Sequence, residues 1–171
     1  MMTLQGQPDE HYEHETLLVR RGRRSDVVSI VAVHSTVLGP ALGGCRVWSY
    51  GTLEEACADA LRLSAAMTLK AAVAGLPLGG GKSVIWLPPG AARPEGDFRE
   101  AILHDFSESI EMLDGSYITA EDVGTNTDDM AFLSHWTDRA VLPQYLEVIR
   151  RAAGRRSSPG ASRVLTHMEA T

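Results

Sequence analysis

The sequence has few cysteines, almost no lysine and no long apolar run. Only two of its 171 residues are cysteines, Cys45 and Cys57, and their spacing matches no zinc-binding motif. So few cysteines exclude a disulfide-stapled scaffold, and a reducing, cytoplasmic location is the default expectation. No segment approaches the roughly 18 consecutive apolar residues that a transmembrane helix needs. We therefore expect no membrane association.

Basic residues are also fewer than acidic residues. The chain carries 16 lysine and arginine residues against 22 aspartate and glutamate residues, which gives a formal net charge of -6. Because nucleic-acid-binding domains normally present a basic surface, we expect no nucleic-acid partner. Arginines cluster at 20–24 and at 150–156, and we interpret both clusters as solvated surfaces, with an anion contact as the alternative. The 44% share of hydrophobic residues is typical of a globular domain.

Motifs that bind phosphate or metal are missing. Gly81-Lys82-Ser83 resembles the end of a P-loop, but Leu76 stands where the first glycine of that motif is required. No G-x-G-x-x-G follows a predicted strand, so no dinucleotide site is predicted. The six histidines include no pair with metal-ligand spacing on a predicted helix. We predict no metal site.

Strand-like and helix-like segments alternate along the chain, which favours an α/β domain. Segments rich in β-branched and aromatic residues predict strands at 26–34, 45–50, 82–87 and 117–119. Apolar residues at helical spacing predict helices at 53–72 and 98–113, and a short helix from about 127. Thr52 and Glu55 have capping-box spacing, and Asp97 is the predicted cap of the second helix. Asp128 and Asp129 are interpreted as caps of the third.

The two lysines, Lys70 and Lys82, lie on either side of Gly79-Gly80-Gly81, which we interpret as a glycine-rich turn. The other fourteen basic residues are arginines. A lysine in a partly desolvated pocket has a lowered pKa and can act as a base or nucleophile. An ordinary lysine is a surface ammonium group, but the apolar sequence around these two is expected to bury their neighbourhoods.

A carboxylate pair, Glu121-Asp122, follows the predicted strand at 117–119 and precedes Gly124. Loops that follow strands commonly carry catalytic carboxylates. A helix cap or a turn aspartate is an alternative of equal weight. Local sequence does not decide between these two interpretations.

Three blocks of the sequence, taken together, resemble one known family. They are LGPALGGCRVW at 38–48, LEEACADALRLSAAMTLKAAVAGLPLGGGKSVI at 53–85 and YITAEDVGTNTDDM at 117–130. They resemble the substrate-binding, dimerisation domain of the glutamate/leucine/phenylalanine/valine dehydrogenases, in particular the leucine and phenylalanine enzymes. We accordingly divide the chain into a lead-in at 1–15, this domain at 16–133 and a divergent tail at 134–171.

The resemblance implies an α/β fold with a mixed β-sheet flanked by helices, and assembly into homo-oligomers. It also implies NAD-dependent oxidative deamination of an L-amino acid to a 2-oxo acid and ammonia. The family binds NAD in a separate Rossmann-like domain, and we expect these 171 residues to contain none. The chain is therefore expected to be the substrate half of such an enzyme, inactive alone.

Roles for individual residues also follow from the resemblance. Lys70, in M-T-x-K, matches the lysine that binds the substrate α-carboxylate, and as a like charge it would help to lower the pKa of Lys82. Lys82, in G-G-G-K, matches the lysine that activates the attacking water. Asp122, in E-D-V-G, matches the acid/base that exchanges protons with the amino group. The remaining matched positions line the substrate site: Gly43, Gly44, Leu42 and Met67.

An apolar substrate is favoured, namely leucine, valine, isoleucine or phenylalanine. Glutamate enzymes need an extra cation for the side-chain carboxylate, and the matching segments offer only Arg46 and Arg62 besides the two lysines. Two alternative functions stay open. One is a stand-alone amino-acid or 2-oxo-acid binding or regulatory module that forms a hetero-oligomer with a full-length homologue. The other is a repurposed, NAD-independent enzyme that acts on imines or 2-oxo acids through Lys82.

Overall fold

The computed structural model describes residues 13–141, which form a five-stranded mixed sheet with helices on both faces. The strands are β1 (Thr16–Arg21), β2 (Val28–Ser35), β3 (Ala41–Ser49), β4 (Gly79–Leu87) and β5 (Tyr117–Glu121). The helices are α1 (Leu53–Val73), α2 (Gly96–Glu111) and α3 (Thr127–Leu133). The predicted α/β fold with a mixed sheet is confirmed.

The strand order β1-β2-β4-β3-β5 places two parallel pairs in one half of the sheet. β1 and β4 each pair antiparallel with β2, whereas β4 and β5 each pair parallel with β3. A parallel pair needs a crossover, and α1 provides it between β3 and β4. The carboxyl ends of β3, β4 and β5 therefore point the same way.

Each face of the sheet has its own apolar core. α1 covers one face, where Ala56 and Ala60 pack against Ile30, Ala32 and Val84. α2 and α3 cover the other, around Phe106, Ile110, Met130 and Leu133. The small side chains of α1 let the helix approach β2 and β4 closely.

The three glycines at 79–81 lie inside β4, so the predicted glycine-rich turn is wrong. A Cβ at Gly80 would lie 2.1 Å from the backbone nitrogen of Thr68 on α1. A Cβ at Gly81 would lie 2.7 Å from the ring of Tyr117. The glycines are required because neighbouring elements of the protein approach the strand, and not because the chain turns there.

Several predicted boundaries change. The helix predicted at 53–72 and the strands predicted at 26–34 and 82–87 are confirmed within a few residues. Asp97 is not an N-cap: the N-cap of α2 is Glu95, whose side chain makes no capping hydrogen bond. The N-cap of α3 is Asn126, which forms a capping box with Asp129. β1 was not predicted.

The predicted lead-in and tail lie largely outside the described residues. The chain past α3 stays against the sheet as far as it is described: the N–H of Thr119 donates to Arg139 O at 2.8 Å, and that of Val141 donates to Thr119 O at 2.7 Å. The division at 133/134 stays a prediction. None of the helices in the described part of the chain is both long and apolar enough to cross a membrane.

Asp105 on α2 fixes the turn between β1 and β2. Its carboxylate is buried and accepts the N–H groups of Arg24 at 3.0 Å and Ser25 at 2.8 Å, and the Ser25 hydroxyl at 2.8 Å. Arg20 also pairs with Glu108 on the same helix. The solvated interpretation of the arginines at 20–24 is therefore wrong for Arg20, whose side chain is 17% exposed, whereas Arg24 is exposed although it pairs with carboxylates of α2.

Replacing Asp105 by asparagine is expected to lower the free energy of unfolding by about 2 kcal/mol at neutral pH, because charge-assisted hydrogen bonds to buried groups are lost. Burial alone would raise the pKa of Asp105, but the hydrogen bonds from Ser25 and Arg24 outweigh it and hold the pKa below its ordinary value. The stability that this depressed pKa contributes is present above the unfolded-state pKa of about 3.9 and is lost as the pH falls through the folded-state value.

Urea unfolding at neutral pH and at pH values below about 4 checks this expectation. The difference in free energy of unfolding between the wild type and D105N should be smaller at the acidic pH values. Asp26→Asn serves as the control, because Asp26 is exposed and its ion pair with Arg21 is worth little. A D105N protein as stable as the wild type at neutral pH would contradict this role.

Candidate functional site

Lys82 and Asp122 meet on the face of the sheet that α1 covers. The Lys82 Nζ lies 2.5 Å from Asp122 Oδ2. Lys82 comes from the middle of β4 and is 6% exposed, and Asp122 follows the last residue of β5. The two residues are 40 positions apart in the sequence, and the sheet brings them together across the intervening strand β3.

Gly44 on β3 makes room for this contact. It pairs with Ala120 on β5, and the pairing of Cys45 with Ser83 places it beside Lys82. A Cβ at Gly44 would lie 2.7 Å from the Cβ of Asp122. Any side chain here would displace the carboxylate from the ammonium group.

The charged form of Lys82 is disfavoured. Burial lowers the pKa of Lys82, the Asp122 carboxylate partly restores it, and the cation of Arg46 lowers it further, so that the pKa lies below its ordinary value. The family resemblance implied that the positive charge of Lys70 helps to lower the pKa of Lys82. In the structure, the cation that lowers this pKa is Arg46. A buried lysine with a lowered pKa is suited to accept a proton.

The Asp122 carboxyl group stays ionised. Burial alone would raise its pKa, but Lys82, Arg46 and the N–H of Val123 more than offset that, and the pKa lies below its ordinary value. Arg46 donates from Nε to Asp122 Oδ2 at 3.1 Å. The site therefore joins one carboxylate to two cations.

The loop that carries Asp122 is fixed by residues that sequence reasoning missed. The Asp122 N–H donates to Thr125 Oγ1 at 2.8 Å. Arg99 on α2 donates to both oxygens of Asp129 at 2.6 Å and to Gly124 O at 2.8 Å. Gly124 was the residue of this loop that the sequence singled out. It has φ +82°, and a Cβ added there would lie 2.3 Å from Val47 O.

Lys70 and Met67 lie three residues apart on α1, and both are half-buried. Residues at this spacing share a helix face. Within residues 13–141 no ion pair joins Lys70 to a carboxylate, and no hydrogen bond joins it to Lys82 or Asp122.

Two further predicted residues form the surroundings of the pair. Leu42 is buried in an apolar cluster with Ala120 and Val141. The carbonyl of Gly43 accepts a hydrogen bond from the Tyr117 hydroxyl at 2.9 Å. Leu42 also pairs with Gly80, two residues before Lys82, and the roles of Leu42 and Gly43 in lining a substrate site stay predictions.

Cys45 is adjacent to the pair but is chemically inert. It is fully buried, and burial raises its pKa to about 12. Only the thiolate is a good nucleophile. Cys45 therefore stays protonated, and it packs as a small apolar residue.

The helix N-termini of residues 13–141 are not prepared for a pyrophosphate. A helix N-terminus attracts anions, but acidic side chains in its first turn already use that field and repel a second anion. Acidic residues occupy the first turns of all three helices in this range, namely Glu54 and Glu55, Asp97, and Asp128 and Asp129. In the same range, no group of three or more histidine, cysteine, aspartate or glutamate residues could hold a metal ion.

Most of the chain is similar to one known protein family. The family model described as Glu/Leu/Phe/Val dehydrogenase, dimerisation domain, matches residues 13–139. The chain belongs to this family.

Leucine dehydrogenase of Geobacillus stearothermophilus is 48% identical to the chain over 129 residues, which cover 75% of this chain and 34% of that enzyme. Phenylalanine dehydrogenase of Bacillus thermotolerans is 37% identical over 160 residues, which cover 93% of this chain and 40% of that enzyme. The crystal structure of L-tryptophan dehydrogenase from Nostoc punctiforme matches with a TM-score of 0.67 at 37% identity, over 75% of this chain and 37% of that chain. The chain thus spans about a third of the length of these Glu/Leu/Phe/Val dehydrogenase relatives.

Proposed function

We propose that this chain is the substrate-binding part of an NAD-dependent L-amino-acid dehydrogenase that converts an apolar amino acid to its 2-oxo acid and ammonia. The observation that carries the proposal is the buried contact between Lys82 and Asp122 in a chain of this family. The names of the relatives point to leucine, phenylalanine and tryptophan as the class of substrate.

Each polar residue of the site has a role in the proposal. Lys70 binds the substrate α-carboxylate, which its lack of an ion pair within residues 13–141 supports. Lys82, with its lowered pKa, takes a proton from the water that attacks the iminium carbon. Asp122, held as a carboxylate, accepts a proton from the substrate ammonium group and returns it later.

NAD, when bound, accepts the hydride from the substrate Cα. Because no helix N-terminus within residues 13–141 is open to a pyrophosphate, we assign no hydride-transfer step to these residues. The proposal gives these residues three tasks: binding the carboxylate, activating water and moving protons. The chain alone is expected to bind substrate without oxidising it.

The arginines near the site support an apolar substrate. Arg46 is held between Asp122 and Asp59, at 3.1 and 3.0 Å. The other arginine of the matching segments, Arg62, is exposed and pairs with Asp59. Neither is available to a second carboxylate on the substrate, and Leu42 adds apolar surface beside the site.

Assembly and location are part of the proposal. The family model is that of a dimerisation domain, and β1 is an edge strand with Leu17 and Val19 exposed. We infer a homo-oligomer or a hetero-oligomer with a homologue. Both cysteines are free thiols, which agrees with a reducing, cytoplasmic compartment.

Calorimetric titration of the 171-residue chain with 4-methyl-2-oxopentanoate and with 2-oxoglutarate tests the proposal. The apolar 2-oxo acid is expected to bind at least about tenfold more tightly, because a second carboxylate would be buried without a partner. Incubation with L-leucine and NAD is expected to form no NADH. Failure to bind the apolar acid, or equal binding of both acids, contradicts the proposal. Consumption of a 2-oxo acid without NAD would instead favour the repurposed enzyme.

A further inference from the structure

Arg46 lies between the catalytic pair proposed above and the first half of α1. Its Nε donates to Asp122 Oδ2, the same oxygen that Lys82 contacts. Its Nη1 donates to Asp59 Oδ2 at 3.0 Å. The side chains of Lys82, Asp122 and Arg46 are 8, 11 and 18% exposed, so these charges interact with little screening by water.

We propose that Arg46 is a positioning residue for Asp122: it orients the carboxylate through Oδ2 and supplies a cation that cannot lose its proton. Both cations engage Oδ2, and neither contacts Oδ1. Oδ1 is therefore free of ion pairs with these two cations, and we assign to it the exchange of a proton with a substrate. That last role rests on the proposed function, whereas the orientation of the carboxylate does not.

A permanent cation matters because Lys82 must at times be neutral. When Lys82 loses its proton, Asp122 loses one of its two cationic partners. Burial then favours the protonated form of the Asp122 carboxyl group. Arg46 stays charged throughout, since a guanidinium group is not deprotonated in proteins. It keeps Asp122 ionised while Lys82 changes its charge.

Asp59 and Tyr50 hold Arg46 in place. Asp59 on α1 accepts hydrogen bonds from the Tyr50 hydroxyl at 2.7 Å and from Arg62 at 2.5 Å as well as from Arg46. Arg46 is thus anchored at its Nη1 end, and its Nε is aimed at Asp122. The titratable or charged groups around Asp122 are Lys82 on β4, Arg46 and Cys45 on β3, Asp59 on α1 and Tyr117 on β5.

Carbon-13 NMR titration of the full chain without ligand tests the proposal. Labelled aspartate carboxyl carbons report Asp122, assigned by Asp122→Asn. Labelled lysine Cε carbons give two signals, from Lys70 and Lys82, because the chain has no other lysine. In Arg46→Gln the titration midpoints of Asp122 and of Lys82 are both expected to move to higher pH. Loss of the cation disfavours the carboxylate and relieves the like-charge repulsion on Lys82.

Two variants control for general effects on the fold. Arg46→Lys keeps the charge and is expected to restore the Asp122 midpoint towards the wild-type value. Arg62→Gln removes an exposed arginine that contacts Asp59 but not Asp122, and should leave the Asp122 midpoint in place. If R46Q folds and the midpoint of Asp122 does not rise, the proposal is wrong.

A measurement on the wild-type chain keeps the proposal falsifiable if R46Q fails to fold. The Arg46 Nε nitrogen, labelled with nitrogen-15 and assigned by Arg46→Lys, donates to Asp122 Oδ2 and is expected to shift with the Asp122 midpoint. An Nε signal that does not follow the Asp122 titration overturns the proposal. These titrations involve no substrate. Failure of the 2-oxo acid to bind would therefore count against the proposed function and not against this role of Arg46.

Discussion

Replacing Lys70 by alanine is expected to weaken the binding of 4-methyl-2-oxopentanoate about 10- to 100-fold. This is the effect expected from losing one charge-assisted hydrogen bond to a carboxylate. The free energy of unfolding should hardly change, because within residues 13–141 Lys70 has no ion pair to lose. Calorimetry gives the dissociation constant, and urea unfolding gives the stability.

The matched control for this variant is Arg62→Ala. Arg62 is another cation of α1, but it is exposed and pairs with Asp59, whereas Lys70 has no ion pair within residues 13–141. It should leave the affinity for the 2-oxo acid within about twofold, as expected for a distant surface charge in salt. If K70A binds the acid as tightly as the wild type, Lys70 is not the carboxylate-binding residue.

Replacing Gly80 by alanine is expected to lower the free energy of unfolding by at least about 3 kcal/mol, the upper range for overpacking a closely packed core. The new Cβ would lie 2.1 Å from Thr68 N and 2.6 Å from Ser64 O. Both are backbone atoms, so α1 must move away from β4. Because α1 carries Lys70 and β4 carries Lys82, the affinity for a 2-oxo acid should fall as well.

Gly90→Ala is the control for the effect of removing a glycine. Gly90 has φ +78° but no atom within 4 Å of its Cβ position, so only backbone strain of about 1 kcal/mol is expected. Urea unfolding gives the free energy of unfolding of both variants. Equal destabilisation by G80A and G90A would show that the contact between α1 and β4 is not the constraint at Gly80.

The elements with a strong local pattern were predicted well. α1 is one case, because its apolar spacing and the Thr52 side chain, which accepts the Glu55 N–H at 3.2 Å, act within a few residues of each other. The three glycines of β4 were misinterpreted for the opposite reason. A run of glycines usually indicates a turn, and only the approach of Thr68 and Tyr117 in the folded chain explains why side chains are excluded there.

The candidate site was predicted residue by residue from family resemblance, but its geometry was not. Arg46 and Asp122 are 76 residues apart, and their contact depends on the parallel pairing of β3 with β5 and on the register of that pairing. Arg24 and Asp105, 81 residues apart, were missed because the turn after β1 meets α2 only in the folded chain. Local sequence carries no information about which strands become neighbours.

The central claim is that Lys70 and Lys82 belong to one site for a 2-oxo acid. Carbon-13 NMR of the lysine-labelled chain during titration with 4-methyl-2-oxopentanoate tests it most directly, because the spectrum has one signal for each lysine. Both signals are expected to shift and to saturate with the same dissociation constant, and Lys70→Ala is expected to weaken the response of Lys82. If neither signal moves, or if they saturate with different dissociation constants, the two lysines do not form one substrate site.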